Sequence, residues 1–422
     1  MKHIHTVNIR KKLTNILILF FLVICIYFPL DPFGLKIPLL LLIFLSSAGF
    51  FAAALKNPCW GETFLWGMII PVGMIGYSIL AGGFVKESLS FGYPAVILLI
   101  VIADTEAGLS YEKMFRWTVN ALAFTILILV VLDILKICDI NHSYIRELIY
   151  RYEIGFIGKS ENYAFYYKVF LRCSPLIIYT FAYAVFKKKR LLSFMLFAAL
   201  FASGTRANVI ASFFVIAAYL WFKAREGKRG LLFILFLGLA VVIAIVLNWE
   251  YIWKAFQGVL NASSAVDSNS VRIGHLKGLA EYYQENPVDV ITGSGMGSSF
   301  YSYGRDAWIN QMEWSLLDFF RQNGILFTGL FLIFIGRMIL NSHTERYKKV
   351  GLLAYFMIAM TNPLLYTSTA YLGYIYVYKD KVKKKYENNS SHSNLQSGRM
   401  LEKVSSASAG SEQKAGFYIN CR

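Results

Sequence analysis

The residues with the most chemical promise are arginines set into or beside apolar sequence. Arg206 lies in FASGTRANVI, between LLSFMLFAAL and ASFFVIAAYLWF, with no acid close by. Arg172 follows Lys168 in another apolar run, and Arg321 falls inside WSLLDFFRQNGILFTGLFLIFIG. Arg272 and Arg305 belong to a long stretch just before that last run. A guanidinium is always charged and grips phosphate oxygens bidentately. Charges inside a membrane-type segment are rare and face a cavity or a partner. Together the arginines point to an anion, a lipid-linked diphosphate. Two blander explanations compete. Asp318, three residues before Arg321, offers an internal ion pair. Snorkelling to the interface fits Lys168 better than Arg206, which sits at a tight turn.

The stretch holding Arg272 is not linker-like. VRIGHLKGLAEYYQENP predicts an amphipathic helix from Val271, with Asp267, Ser268 and Ser270 as caps and Asn286-Pro287 as its stop. Arg272 and His275, three apart, project from one side of it. VDVITGSGMGSSF follows, with Gly293, Gly295 and Gly297. Such a glycine string can bring backbone N–H groups to a phosphate. It lacks the βαβ context of a nucleotide site, so a sharp loop re-entering a membrane cavity is the better expectation. Glu313 stands where this stretch meets the next apolar run. No HExxH, GxSxG or Walker lysine motif occurs, so a catalytic metal has little support and no cofactor is expected.

What must position these residues is a polytopic, all-α membrane protein. The 422 residues are 57% hydrophobic and only 16% charged, and many apolar runs approach the roughly 20 residues that span a bilayer. The net charge of +17 gathers in short clusters flanking those runs, which is a topology signal and not a nucleic-acid footprint. Five cysteines without CxxC spacing imply no disulfide framework. The basic N-terminus is read as an uncleaved first span, because Asp31-Pro32 follows it where a small-residue cleavage site would stand. Counting positive charges gives about twelve spans with both termini cytoplasmic. Expected spans run about 13–30, 37–55, 63–84, 93–103, 117–135 and 164–186, then a hairpin over 191–222 turning at Ser203 to Arg206. Further spans follow over about 230–249 and 315–340, and a last hairpin turns at Asn362-Pro363. External loops are expected over 136–163 and 250–314. The membrane domain would cover 1–385, and the Ser/Asn-rich segment 386–422 would be a disordered cytoplasmic tail.

With SGTRAN before a short returning span, with VRIGHLKG…NPVDVITGSGMGSSFYSYGR leading into RQNGI, and with RYEIGFIGKSENYAF upstream, the chain resembles the O-antigen polymerase and O-antigen ligase superfamily. The resemblance covers roughly residues 150–340. It implies a GT-C-like, metal-independent glycosyltransferase in the bacterial cytoplasmic (inner) membrane. The implied substrates are undecaprenyl-diphosphate-linked oligosaccharide repeat units at the external face, used to build O-antigen or capsule. Membrane lipid, a chain-length regulator and a flippase would be its partners, and nucleic acid would not. Arg206 and Arg272 match positions where the family places diphosphate-binding arginines, with Arg172 and Arg321 in support. Arg305, Asn162, Gly293 and Gly295 are expected to contact glycan or shape the loop. Ligases carry a histidine near the position of Glu313, so the glutamate favours a polymerase over a ligase, in which Glu313, as general base, or His275 would serve the acceptor hydroxyl. A transporter or flippase, which also needs a charged cavity, is the alternative from another class. It would show repeated halves and helices broken near mid-membrane.

Overall fold

The computed structural model describes residues 2–57, 60–159, 167–226 and 263–382, with side chains from residue 9 in the first segment and from 270 in the last. The expected span over 230–249, Asn162 and the C-terminal tail lie outside the described residues.

The chain is mostly helical. α1 (Lys2–Tyr27) leads to α2 (Lys36–Ser46) and α3 (Ala48–Leu55). α4 (Gly61–Leu80), α5 (Val85–Glu106) and α6 (Tyr111–Ile134) follow. Next come α7 (Tyr144–Arg151) and the antiparallel hairpin of β1 (Gly155–Lys159) and β2 (Tyr167–Leu171). α8 (Ser174–Phe186), α9 (Arg190–Ala202) and α10 (Arg206–Arg225) return the chain to the bundle. α11 (Ser263–Glu285), the single turn α12 (Asp289–Thr292) and the hairpin of β3 (Phe300–Ser302) and β4 (Ala307–Ile309) form the long loop. α13 (Ser315–Leu340), α14 (Arg346–Ala359) and α15 (368–382) close the chain.

Among the described residues, five helices are long and apolar enough to cross a membrane: α4, α5, α6, α10 and α13. Counting α2 and α3, which bend by 68° at Ser47, as one broken span makes six. α8 and α9 are apolar but shorter. The outward faces of the long helices stay apolar, as at Val72 of α4, Ile128 of α6, Phe213 of α10 and Ile333 of α13, all more than half exposed. Hydrocarbon is the solvent such faces suit, and they mark a membrane protein.

The core between the helices is aromatic. Tyr179 of α8 fits against Gly373 of α15, where a Cβ would come within 2.6 Å of the ring, and packs on Tyr355 with centroids 5.4 Å apart. Two buried tyrosines support irregular backbone: the Tyr355 hydroxyl donates to the Leu364 carbonyl at 3.1 Å, and Tyr374 donates to Leu365 at 2.7 Å. Non-helical backbone packed inside a protein needs such partners, because its polar groups are cut off from water.

A cluster of ion pairs closes one end of the bundle. There Lys187 meets Glu345 at 3.2 Å, Arg346 meets Glu226 at 2.7 Å and Arg337 meets Glu62 at 3.1 Å. Buried Lys348 bridges Glu112 and Asp380, and Lys379 pairs with Asp104. These residues come from the segments that charge counting places together on one side.

Two elements differ from expectation. The run over 164–186 is not one helix. Its first described part is β2, and the helix starts only at Ser174, so Arg172 sits between strand and helix and not within a span. α11 starts at Ser263 and not at Val271, so Asp267, Ser268 and Ser270 fall inside it and do not cap it. The turn between α9 and α10 does fall at Ser203 to Thr205. Gly204 has φ +67°, and a Cβ there would lie 2.6 Å from the Tyr167 carbonyl oxygen and 2.7 Å from the Lys168 Cα. Gly204→Val is therefore expected to cost roughly 1–3 kcal/mol, from backbone strain plus displacement of β2. Thermal unfolding of the detergent-purified protein checks this, and an unchanged melting temperature would contradict it.

Candidate functional site

Opposite the charge cluster, the loops converge on a cavity of about 890 Å³. Its wall draws on the α1–α2 turn, on α5, on the β1–β2 hairpin, on Thr205, on α11, on the start of α13 and on residues 362–369.

Each polar lining residue has a local reason to be there. In β2, Tyr167, Val169 and Leu171 are buried, so the alternate positions Lys168 and Phe170 face the cavity, as the two-residue period of a strand requires, and Arg172, the next residue after the strand, lines it too. Arg172 makes only a loose ion pair with Glu153, at 3.7 Å, and its Nε is buried without a hydrogen-bond partner. The turn of residues 203–206 is locked by Asn208, whose Nδ2 donates to Ser203 Oγ at 2.8 Å and to Ser174 Oγ at 3.3 Å. That turn presents Thr205 to the cavity. Arg206 is exposed at the start of α10 and is not part of the lining. Residues 362–365 are held against α13 by Ser315, whose hydroxyl bonds the Asn362 carbonyl and accepts from Leu364 N at 3.1 Å.

Arg272 and Glu313 meet in this cavity. Arg272 Nε donates to Glu313 Oε2 at 3.0 Å, and a terminal guanidinium nitrogen lies 2.9 Å from the same oxygen. Both side chains stay about one third exposed, so the pair is open to exchange with an entering ligand. Among the described residues, Lys168, Arg172 and Arg272 are the lining cations, and Asp31, Glu313 and Asp318 are the lining carboxylates. Among the described residues, no three His, Cys, Asp or Glu side chains group closely enough to hold a metal ion.

Several expected site residues take other roles. Arg321 is fully buried, and all five of its donors are engaged. It binds Asp318 at 3.0 and 3.3 Å, the Ser298 carbonyl and hydroxyl at 2.9 and 2.8 Å, and the Asn310 carbonyl at 3.0 Å. The internal pair with Asp318 wins over diphosphate binding, because no donor is left for a ligand. Gly293 and Gly295 offer no phosphate cradle either. The six N–H groups from Gly293 to Ser298 donate to the Asp289, Arg321 and Gln322 carbonyls, Ser78 Oγ, Gln322 Oε1 and the Gly295 carbonyl, respectively. The glycines serve close packing instead. A Cβ on Gly293 would lie 2.5 Å from Gly324 N, where α13 breaks at φ +65°, and one on Gly295 would lie 2.8 Å from Gly83 N.

His275 is also removed from the cavity. It is 3% exposed, its Nδ1 pairs with Ser302 Oγ at 2.6 Å, and it ties α11 to the β3–β4 hairpin. Arg305 is exposed on that hairpin, away from the lining. Burial, then the nearby Arg305 cation, hold the His275 imidazole below its ordinary value. The fold thus favours neutral His275, and the stability it adds is present above about pH 6.5 and lost as pH falls through the folded value. Hydrogen exchange of the 300–309 backbone is expected to speed up below about pH 6 beyond the intrinsic pH dependence, and His275→Gln should remove that step. Exchange with only the intrinsic dependence down to pH 5 in the unmodified protein would contradict the assignment.

A scan against protein-family models finds no match for this chain, and a search of curated proteins finds none either.

Sequence reasoning passed over the lining residues Thr205 and 362–369. Their signal was present. TNPLLYTSTA interrupts an apolar run with Pro363 and then sets hydroxyls at 367–369.

Proposed function

We propose that this protein is a surface-polysaccharide polymerase. It transfers a growing glycan from undecaprenyl diphosphate onto a lipid-linked repeat unit at the external face of the bacterial inner membrane. The supporting observation is the cavity in which Arg172, Lys168 and Arg272 come together from separate segments, at the end of the bundle opposite the salt-bridge cluster. That cluster fits the cytoplasmic side, since basic residues favour it.

In the reaction, the acceptor hydroxyl oxygen attacks the anomeric carbon of the donor sugar. The bond from that carbon to the phosphate oxygen breaks, and the diphosphate leaves with the electron pair. Arg272 and Arg172 stabilise the charge that builds on the leaving group. Arg206, beside Thr205, adds to the positive field at the same turn. A phosphate that draws the Arg272 guanidinium toward itself frees a Glu313 oxygen to take the proton of the acceptor hydroxyl. The cavity wall holds the two sugars in line and limits water.

The experiment incubates the purified full chain with a defined lipid-linked repeat unit. A ladder of products spaced by one repeat is the expected result. Transfer of preformed polymer to another acceptor would make it a ligase, and movement of lipid-linked sugar across vesicles without new bonds would make it a transporter.

A further inference from the structure

Lys36 opens α2, and burial changes abruptly there: Pro32 to Leu35 are exposed, whereas Lys36 is 1% exposed. Its ammonium is taken up by the Pro29 carbonyl and by the Ser368 hydroxyl, the latter at 3.1 Å. The acid nearest in sequence, Asp31, is spent on backbone, accepting Leu35 N at 2.8 Å and Lys36 N at 3.0 Å. Two neutral oxygens compensate poorly for removing an ammonium from water, and a buried cation without a carboxylate partner is normally costly. An ammonium has three donors, and these contacts use two.

Both partners of Lys36 line the cavity. The ammonium therefore stands directly behind the wall on which the loops converge. Ser368 is the first residue of α15, whose start is capped by Thr367 Oγ1 accepting Ala370 N at 3.2 Å. The partial positive charge of that helix end adds to the lysine. Arg172, with its unpartnered buried Nε, lines the same cavity.

We infer that Lys36, together with the Ser368 hydroxyl, forms a second phosphate subsite in the cavity and makes the protein select a diphosphate over a monophosphate. One phosphate engages Arg272. The other accepts from the Ser368 hydroxyl and receives the remaining donor of Lys36. This rests on the reading that the cavity takes a lipid-linked diphosphate, and it names the groups that count the phosphates. Lys36 is a specificity-determining residue here, because charge-assisted bonds reward the second phosphate alone.

The test measures binding of undecaprenyl diphosphate, undecaprenyl monophosphate and inorganic pyrophosphate to the detergent-purified full chain, unmodified and as Lys36→Met and Ser368→Ala. The unmodified protein is expected to prefer the lipid diphosphate over the monophosphate by roughly tenfold or more. Lys36→Met should erase that preference while monophosphate affinity and melting temperature hold. Ser368→Ala should reduce it. Inorganic pyrophosphate competing in the unmodified protein but not in Lys36→Met shows that the subsite reads phosphate and not the lipid chain. A Lys36→Met protein that keeps the preference overturns the inference. So does one that loses both ligands equally and melts earlier, since that is a purely structural lysine. Lys36-dependent selection without any ladder would keep this subsite and discard the polymerase. Ladders without Lys36-dependent selection would do the reverse.

Discussion

Arg272→Ala is expected to reduce chain extension by roughly 10²–10³-fold, the range seen when one preorganised donor to a developing anion is removed. The effect should fall on turnover and leave the fold largely intact. Arg272 is about one third exposed, and its recorded side-chain contact is with Glu313, itself about one third exposed. An ion pair that open contributes little to stability, about 0–1 kcal/mol. Its loss should not unfold α11. Arg272→Lys keeps the charge but loses the fork that matches phosphate oxygens, so it should recover only part of the rate. Product ladders from purified variants at equal protein concentration measure this. Normal ladders from Arg272→Ala would remove the arginine from the chemistry.

The second large effect lies in the opposite category. Arg321→Ala should destabilise the protein by roughly 3–5 kcal/mol, the cost of leaving a buried charge without its partner. Asp318 would keep its bonds from Gln322 Nε2, at 2.9 Å, and from the Met312 backbone, and the Ser298 and Asn310 carbonyls would lose their Arg321 donor. The glycine loop would then lose the guanidinium that ties Ser298 to α13, while its bonds to the Arg321 and Gln322 carbonyls remain. Adding Asp318→Leu to Arg321→Met should restore part of the loss, since a pair replaced on both sides leaves no lone charge. Chemical denaturation of the three proteins in detergent gives the comparison. A single Arg321→Ala variant that melts normally and merely loses activity would instead return this arginine to ligand binding.

How far the sequence revealed these roles depended on how local the signal was. The hairpin of α9 and α10 could be read because Lys187 to Arg190 and Lys223 to Arg225 mark both of its feet. α13 could be read because apolar residues dominate it, and its start at Ser315 and end at Leu340 match expectation, although its break at Gly324 was not foreseen. β2 could not. In YKVFLRCSPLIIYTFAYAVF the strand's two-residue alternation merges with the buried helix that follows, and short apolar runs do not distinguish the two. The fate of the glycine loop was hidden for another reason. Three of its N–H groups, on Ser294, Gly295 and Gly297, go to Arg321 and Gln322, more than twenty positions later, and pairing over that separation has no signature in composition. Arg321 itself was legible only as a choice between Asp318 and a ligand, and packing decided it. His275 and Arg272 share one side of α11 as their spacing requires, yet one turns to Ser302 and the other to Glu313. Only the position of the hairpin sets which of them is buried.

The most direct measurement is a structure of the full chain determined with undecaprenyl diphosphate bound in a lipid nanodisc. The account predicts phosphate density in the cavity, within hydrogen-bonding distance of Arg272 and Arg172, with the lipid chain leaving that end of the bundle. Phosphate density among Lys348, Glu112 and Asp380 at the opposite end, or none near the two arginines at saturating ligand, would contradict it.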